Sequence, residues 1–363
     1  MAENVADDVF VNDSKLFESS HLGNIANYLG ATEPALRLLL SILIGYPLTL
    51  IHRFTLYGKS TLHQHIFFIV SGLSIGYFNY GWEVLHSMAS ILVTYTVLFT
   101  MGGSLISVAI TFIFSMTYLL AGYYATGTET YDIKWTMPQC VLTLRLIGLA
   151  FDLYDGKKPA ELLSNDQKKA ALSKIPSLLE VAGHTYFPSS FLVGPQFSMR
   201  RYQDFVSGEF REKVCVILLI SEMLPPCLIP GIKRGALGFI YLGIYQVGIS
   251  YCPDAYLLSP IYDMLPFVKK CLVLGFWGKM TLYKYISCWL ISEGVCICSG
   301  MSDLFQNLFR YVYKRLKFMG NRYISQAAAL MFLAVWHGLH SGYYMCFAME
   351  FLVMKLEKDV SFV

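Results

Sequence analysis

The sequence is poor in charged residues for its length. Only 15% of its 363 residues are charged, whereas 55% are of hydrophobic types. Soluble domains usually carry about 25% charged residues. The formal net charge is +3 and the basic residues form no continuous stripe, so we expect no nucleic-acid partner. The composition excludes an ordinary soluble domain and favours a membrane protein.

Several short signals are also missing. The first 20 residues are mainly acidic or polar with Lys15 as their only base, so they lack the pattern of a cleavable signal peptide. We therefore expect the first apolar run to act as an uncleaved anchor. Nine cysteines form no CxxC pair, and Cys296 and Cys298 are one residue apart, so no metal site is predicted. The absence of internal repeats gives no support to a repeat-built transporter.

Long apolar runs are what the sequence has in abundance. A helix that crosses a bilayer needs about 20 mainly apolar residues. Candidate segments lie at 36–51, 62–78, 85–101, 106–124, 137–151, 237–251, 267–282, 285–298 and 324–351. We predict an all-α, polytopic helical bundle with about eight or nine membrane segments. The predicted order is an interfacial or lumenal segment at 1–34, a membrane domain at 35–356 and a short tail at 357–363.

Charge and proline refine this prediction. His52, Arg53 and Lys59 follow the first segment, and the lysine-rich stretch at 153–174 falls on the same side of the membrane. Basic loops prefer the cytosol, so we expect a lumenal N-terminus. Six prolines divide residues 176–235 into short pieces. There we expect short helices that lie in the membrane interface or are tucked into the bundle.

A histidine pair lies inside the last apolar run, in the sequence Trp336-His337-Gly338-Leu339-His340-Ser341-Gly342. Ionisable groups at membrane depth are rare and usually face a polar interior. Histidine exchanges its proton near neutral pH, which makes His337 a candidate general base. The alternative is a hydrogen-bonded core histidine.

Two other interpretations of this segment are weaker. His337 and His340 lack the glutamate of zinc hydrolase signatures, and Ser341 lacks the Gly-x-Ser-x-Gly elbow of serine hydrolases, so packing is the better role for Ser341.

A set of acidic residues in apolar surroundings forms a second candidate group. Each could position a ligand or a base, or pair with a basic residue at an interface. The set comprises Asp132, Asp152, Glu180, Glu293 and Glu350.

The histidine segment, read from Ala334 to Gly342, resembles the signature of the membrane-bound O-acyltransferases. Four further stretches resemble the lysophosphatidylcholine acyltransferase branch of that family: residues 131–138, 178–183, 191–199 and 314–318. The resemblance extends from about Leu22 to about Leu356.

This resemblance implies a helical membrane fold with a tunnel, located in the endoplasmic reticulum membrane. Acyl-CoA would be the co-substrate, with no other cofactor, and a lysophospholipid would enter from the membrane lipids. His337 would take the proton of the sn-2 hydroxyl of lysophosphatidylcholine or a related lysophospholipid, which then attacks the thioester. We further expect substrate contacts at Trp336, His340, Asp132, Trp135, Glu180, Gly194, Pro195 and Gln196.

The sequence departs from the family pattern at two places. Relatives carry a catalytic asparagine on a loop before the histidine, but here that position falls at about Met301 and most of the loop is absent; Asn307 is two helical turns away. Losing such an amide typically lowers the rate by ~10²–10³. The chain also ends at Val363, where relatives continue through further helices. An alternative function is therefore a shortened, catalytically impaired form that binds lipid or acyl-CoA and pairs with a second copy or a full-length relative.

Overall fold

All regular elements are helical in the part of the chain that the computed structural model describes, which comprises residues 21–128, 133–210, 227–301 and 322–360. This confirms the predicted all-α class. The helices are α1 (His21–Tyr28), α2 (Glu33–Ile51), α3 (Thr61–Tyr80), α4 (Leu85–Met101), α5 (Leu105–Thr126), α6 (Thr136–Asp155), α7 (Asn165–Ala170), α8 (Leu178–Thr185), α9 (Met199–Ser207), α10 (Leu228–Tyr251), α11 (Asp254–Leu257), α12 (Pro260–Asp263), α13 (Phe267–Ser299), α14 (Arg322–His337) and α15 (Ser341–Val360).

Four stretches of these helices are long and apolar enough to cross a membrane: Glu33–Leu56, Thr61–Met101, Leu105–Thr126 and Thr136–Asp155. The first extends α2 by a π-helical turn, and the second joins α3 to α4 through a 3₁₀ turn at Gly81–Val84. They cover the first five predicted segments. A shorter apolar helix, Tyr323–His337, carries the predicted catalytic histidine.

Two of the later predicted boundaries are wrong. The segments predicted at 267–282 and 285–298 form one helix of 33 residues, α13. Lys284, which lies between the two predicted segments, is part of the helix, with its ammonium 5.9 Å from the ring of Tyr245 in α10 and 5.0 Å from that of Tyr285. The helix continues because a neighbouring helix accommodates its polar residue. The single segment predicted at 324–351 is instead two helices, α14 and α15.

Helices α8 and α9 lie inside the assembly, which is one of the two positions that the proline-rich sequence allowed. Tyr202 and Phe205 of α9 are fully buried. Their rings belong to an aromatic cluster with Phe68 of α3 and with Phe187, which follows α8. Packing of this density places the short helices at the centre of the fold rather than at its surface.

Close helix contacts join α2, α10 and α13. The Tyr46 hydroxyl of α2 donates to the carbonyl of Ile291 at 3.1 Å and lies where a Cβ at Gly235 of α10 or at Gly294 of α13 would overlap it. Small residues allow membrane helices to approach at this range. The C-terminal part of α13 is consequently buried, whereas most residues of its N-terminal half are exposed or partly exposed.

Candidate active site

His337 is the last residue of α14, and aromatic rings surround it. Its imidazole lies 4.6 Å from the ring of Trp336, 5.5 Å from that of Tyr343, against which it stacks, and 5.4 Å from that of Phe347. The side chain is exposed. None of the described residues forms a hydrogen bond with its Nδ1 or Nε2. The imidazole is thus positioned by contacts with aromatic rings, and its two nitrogens are available for proton transfer.

Gly338 makes the turn that ends α14. Its φ is +148°, a backbone conformation that favours glycine. A Cβ at this residue would lie 3.1 Å from the Tyr343 ring. Glycine therefore lets the chain reverse into α15 and brings Tyr343 against His337.

Trp336 connects the end of α14 to two earlier helices. Its indole Nε1–H donates to the carbonyl of Cys140 in α6 at 2.8 Å. Its own carbonyl accepts a hydrogen bond from the Tyr123 hydroxyl of α5 at 2.9 Å. Trp336 was predicted to contact substrate; its indole N–H and its carbonyl both bind the protein itself, next to His337.

Gln196, another predicted substrate contact, also reaches α6. Its Nε2 donates to the carbonyl of Val141 at 2.8 Å, and its Oε1 accepts from Nε of Arg145 at 3.0 Å. Cys140 and Val141 are consecutive, so the first half of α6 holds both Trp336 and Gln196. The peptide bond between Gly194 and Pro195, just before Gln196, is cis. The Gly194 carbonyl accepts a hydrogen bond from the Ser292 hydroxyl of α13.

Arg145 is the residue that sequence reasoning missed. It is 5% exposed and donates to the carbonyls of His184, Thr185 and Ser190 as well as to Gln196. These acceptors are neutral, and the cation also lies 5.5 Å from the Phe197 ring. A single arginine inside a predicted membrane segment was the available signal, because such residues are retained for a structural or functional reason.

The environment of His184 follows from this arrangement. Burial and the nearby Arg145 cation lower its pKa to about 3, although the Nε2 contact with the Phe197 carbonyl acts in the opposite direction. His184 is therefore neutral at physiological pH. It acts as a core histidine, the role that had been weighed against catalysis for His337.

Glu180 begins α8 rather than facing the histidine segment. It forms a capping box with Ser177, whose backbone N–H and hydroxyl donate to its carboxylate, and Gln203 donates to its other oxygen at 2.9 Å. Burial works to raise the pKa of Glu180, but these hydrogen bonds outweigh it and hold the pKa below its ordinary value.

Trp135 is buried at the start of α6. It stacks on His86 with ring centroids 3.9 Å apart, and Nδ1 of His86 lies 2.7 Å from the Tyr118 hydroxyl. Its neighbour Asp132 lies outside the described residues.

Four other candidate residues occupy different environments. Glu293 forms an ion pair with Arg234 at 2.6 Å, which matches the interfacial interpretation of that acid. Asp152 is buried, whereas Glu350 and His340 are exposed on or before α15.

Met301 occupies the place that the resemblance gives to a catalytic asparagine. It is fully buried, and its backbone carbonyl accepts from Nε of Arg201. Asn307 and the stretch at 314–318 lie outside the described residues. Within the described ranges, no three or more His, Cys, Asp or Glu side chains are grouped so that they could hold a metal ion.

Comparison with known proteins places these residues in context. A model of the membrane-bound O-acyltransferase family matches residues 120–307 and 304–363. The two matched segments meet at 304–307, within the region where the sequence predicts a shortened loop.

Individual relatives match over most of the chain. The chain is 44% identical to lysophospholipid acyltransferase 5 of Homo sapiens over 383 positions, covering 95% of this chain and 77% of the relative. The protein of the same name in Drosophila melanogaster is 44% identical, covering 94% and 74%. That of Caenorhabditis elegans is 36% identical, covering 91% and 76%.

Proposed function

We infer the function from one premise: this chain belongs to the membrane-bound O-acyltransferase family. Its relatives are named lysophospholipid acyltransferases, and we assign acyl transfer to a lysophospholipid to this chain as well. More finely, we propose that acyl-CoA is the donor and that the acceptor is the sn-2 hydroxyl of lysophosphatidylcholine and related lysophospholipids. We also propose that the multi-pass chain resides in the endoplasmic reticulum membrane with its N-terminus in the lumen.

The observation that carries the proposal is the state of His337. An alcohol is a weak nucleophile unless a base accepts its proton in the transition state. The His337 imidazole is exposed, fixed by three aromatic rings and free of hydrogen bonds to the described residues. Such a ring can accept the hydroxyl proton without first breaking a bond to the protein.

In this proposal the acyl group passes directly from acyl-CoA to the lysophospholipid. The sn-2 O–H bond breaks as His337 takes the proton, and the oxygen forms a bond to the thioester carbonyl carbon. The tetrahedral intermediate collapses with cleavage of the carbon–sulfur bond. The imidazolium returns its proton to the sulfur that leaves as the CoA thiol. No acyl-enzyme is formed, so no serine elbow is required.

Acyl transfer in membranes that contain the protein tests this proposal. Microsomes from cells without background lysophospholipid acyltransferase activity are supplied with labelled acyl-CoA and lysophosphatidylcholine. We expect phosphatidylcholine formation by the wild type and a loss of about 10²–10⁴-fold in His337→Ala, the usual contribution of a general base. His63→Ala is the matched control, because His63 is an exposed histidine near the start of α3, and it should retain activity. Equal activity of His337→Ala and the wild type would refute the role of His337.

A second candidate function is supported by Met301. A thioether cannot donate the hydrogen bond that an asparagine amide provides, and Met301 is buried with its carbonyl engaged by Arg201. The alternative is a catalytically impaired chain that binds acyl-CoA or lipid and associates with a second copy or a full-length relative. Acyl-CoA binding by purified protein in the absence of turnover, together with co-purification of an active relative, would favour this alternative over the enzyme.

A further inference from the structure

The last turn of α14 is hydrogen-bonded to earlier helices through Trp336. The residue makes two hydrogen bonds to helices more than 190 positions earlier in the chain, through its indole to Cys140 and through its carbonyl to Tyr123. The Tyr123 hydroxyl also interacts with the Cys140 thiol. Three helices, α5, α6 and α14, therefore meet in a closed set of contacts among Tyr123, Cys140 and Trp336.

The hydrogen bond from Tyr123 supplies a donor to a carbonyl at the C-terminal end of α14. The last four carbonyls of an α-helix have no intrahelical donor. The carbonyl of Trp336 is one of these, because α14 ends at His337 and Gly338 turns the chain away. The Tyr123 hydroxyl therefore caps the helix at the peptide bond that joins Trp336 to His337.

This cap controls the position of the base. The carbonyl that Tyr123 binds belongs to the same planar peptide unit as the His337 backbone nitrogen. Since no described residue hydrogen-bonds to the imidazole itself, the position of the ring depends on the backbone and on the aromatic rings beside it. Movement of that peptide unit would move the ring relative to Tyr343.

We propose that Tyr123 is a positioning residue for His337, acting through the Trp336 carbonyl. The proposal rests on the function assigned above, in which His337 is the base. In this role Tyr123 acts through the backbone, and its hydroxyl fixes the distance between the imidazole and the acceptor hydroxyl. Rate depends steeply on that distance, and a displacement of about 1 Å can lower it by about 10²-fold.

Tyr123→Phe is the decisive variant, because it removes the hydroxyl and retains the ring. Tyr124→Phe is the matched control, since Tyr124 is the next residue of the same helix and is 85% exposed. In microsomes we expect kcat of Tyr123→Phe to fall by about 10- to 100-fold with KM for both substrates unchanged. Tyr124→Phe should match the wild type. A purely structural role would instead lower the amount of folded protein and leave kcat per folded molecule intact.

A second measurement works without turnover. Diethyl pyrocarbonate modifies accessible imidazoles, and mass spectrometry of the peptide that carries His337 and His340 reports both rates at once. We expect the rate at His337 to rise severalfold in Tyr123→Phe, because the imidazole leaves its stacked position on Tyr343, while the rate at His340 stays constant. His340 serves as the internal reference.

The outcomes separate this proposal from the function on which it rests. Unchanged modification of His337 in Tyr123→Phe would overturn the positioning role, whatever the acyl transfer assay gives. If wild-type membranes show no acyl transfer but modification of His337 still rises in Tyr123→Phe, the proposed function fails and the positioning of His337 stands. A kcat for Tyr123→Phe equal to that of Tyr124→Phe in active membranes would also overturn the positioning role.

Discussion

The central segment that contains α8 and α9 and the histidine hairpin formed by α14 and α15 are held in opposite ways. The central segment is bonded from several helices, through Arg145 of α6, His65 of α3, Ser87 of α4 and Ser292 of α13. The histidine hairpin contacts α5 and α6 chiefly through the two hydrogen bonds of Trp336 and a ring contact between Phe112 and Phe332.

This difference separates two requirements of the molecule. Buried polar groups need partners, and a network that satisfies all of them specifies a single arrangement. A base, in contrast, needs nitrogens that are free to exchange a proton. The central segment therefore defines the fold, whereas the histidine hairpin carries the proposed base. Variants in the first should affect stability before activity, and variants in the second should do the reverse.

Among the variants that test this comparison, Arg145→Met should cause the largest change in the free energy of unfolding. The substitution removes the Arg145 donor from the buried carbonyls of His184, Thr185 and Ser190, and of these the Ser190 carbonyl keeps the N–H of Gly194. We expect a loss of about 3–5 kcal/mol in the free energy of unfolding, since each unpaired buried group costs about 1–3 kcal/mol. Arg200→Met is the control, because Arg200 forms an exposed ion pair with Asp204 that is worth about 0–1 kcal/mol. Thermal unfolding in detergent measures both, and equal midpoints would contradict the proposed role of Arg145.

A smaller effect is expected where α3 approaches the central segment. A Cβ at Gly72 would overlap the carbonyl oxygen of Tyr186. Gly72→Ala should destabilise the protein by about 1–3 kcal/mol through overpacking. Gly243→Ala is the control, because no atom lies within 4 Å of its added Cβ and alanine favours a helix by up to about 1 kcal/mol. The same thermal measurement should move in opposite directions for the two variants. A neutral Gly72→Ala would show that the central segment is loosely packed.

The smallest effect on stability should come from the histidine hairpin. Trp336→Phe removes one hydrogen bond, to Cys140, and should lower the free energy of unfolding by about 0.5–1.5 kcal/mol. Acyl transfer should fall by more than this loss of folded protein explains. Trp289→Phe controls for the change of ring, since Trp289 is 45% exposed on α13. If Trp336→Phe unfolds the protein as Arg145→Met does, the separation between the two regions is wrong.

Hydrophobic runs predicted the early helices well and the late ones less well. The segments at 36–51 through 137–151 correspond to α2–α6 because each is a mainly apolar run that ends close to the end of a helix. The prediction for α13 was wrong because its polar residues are accommodated by α10, and that contact is tertiary. The break at Gly338 was not predicted because long, mainly apolar stretches lie on both sides of the histidine segment. Only the positive φ of glycine reveals the turn.

The sequence suggested a chemistry for the candidate site but not its geometry. An ionisable residue in an apolar run pointed to His337. The partners of Trp336 and Gln196 could not be predicted, because both bind backbone carbonyls of α6, and every residue of a helix carries such a carbonyl. Glu180 matched the family stretch at 178–183, yet Ser177 three residues earlier already marked a capping box, which is a local signal for a helix start.

The enclosure of α8 and α9 has a consequence for biogenesis. The ribosome makes their earlier walls, α3, α4 and α6, first, but the hydroxyl of Ser292 that binds the carbonyls of Ser189 and Gly194 is synthesised about 100 residues later. Until α13 has been inserted, those two carbonyls lack the hydrogen bond from Ser292. The centre of this protein is therefore completed late, and a nascent chain that is paused before α13 should offer that segment to chaperones or proteases.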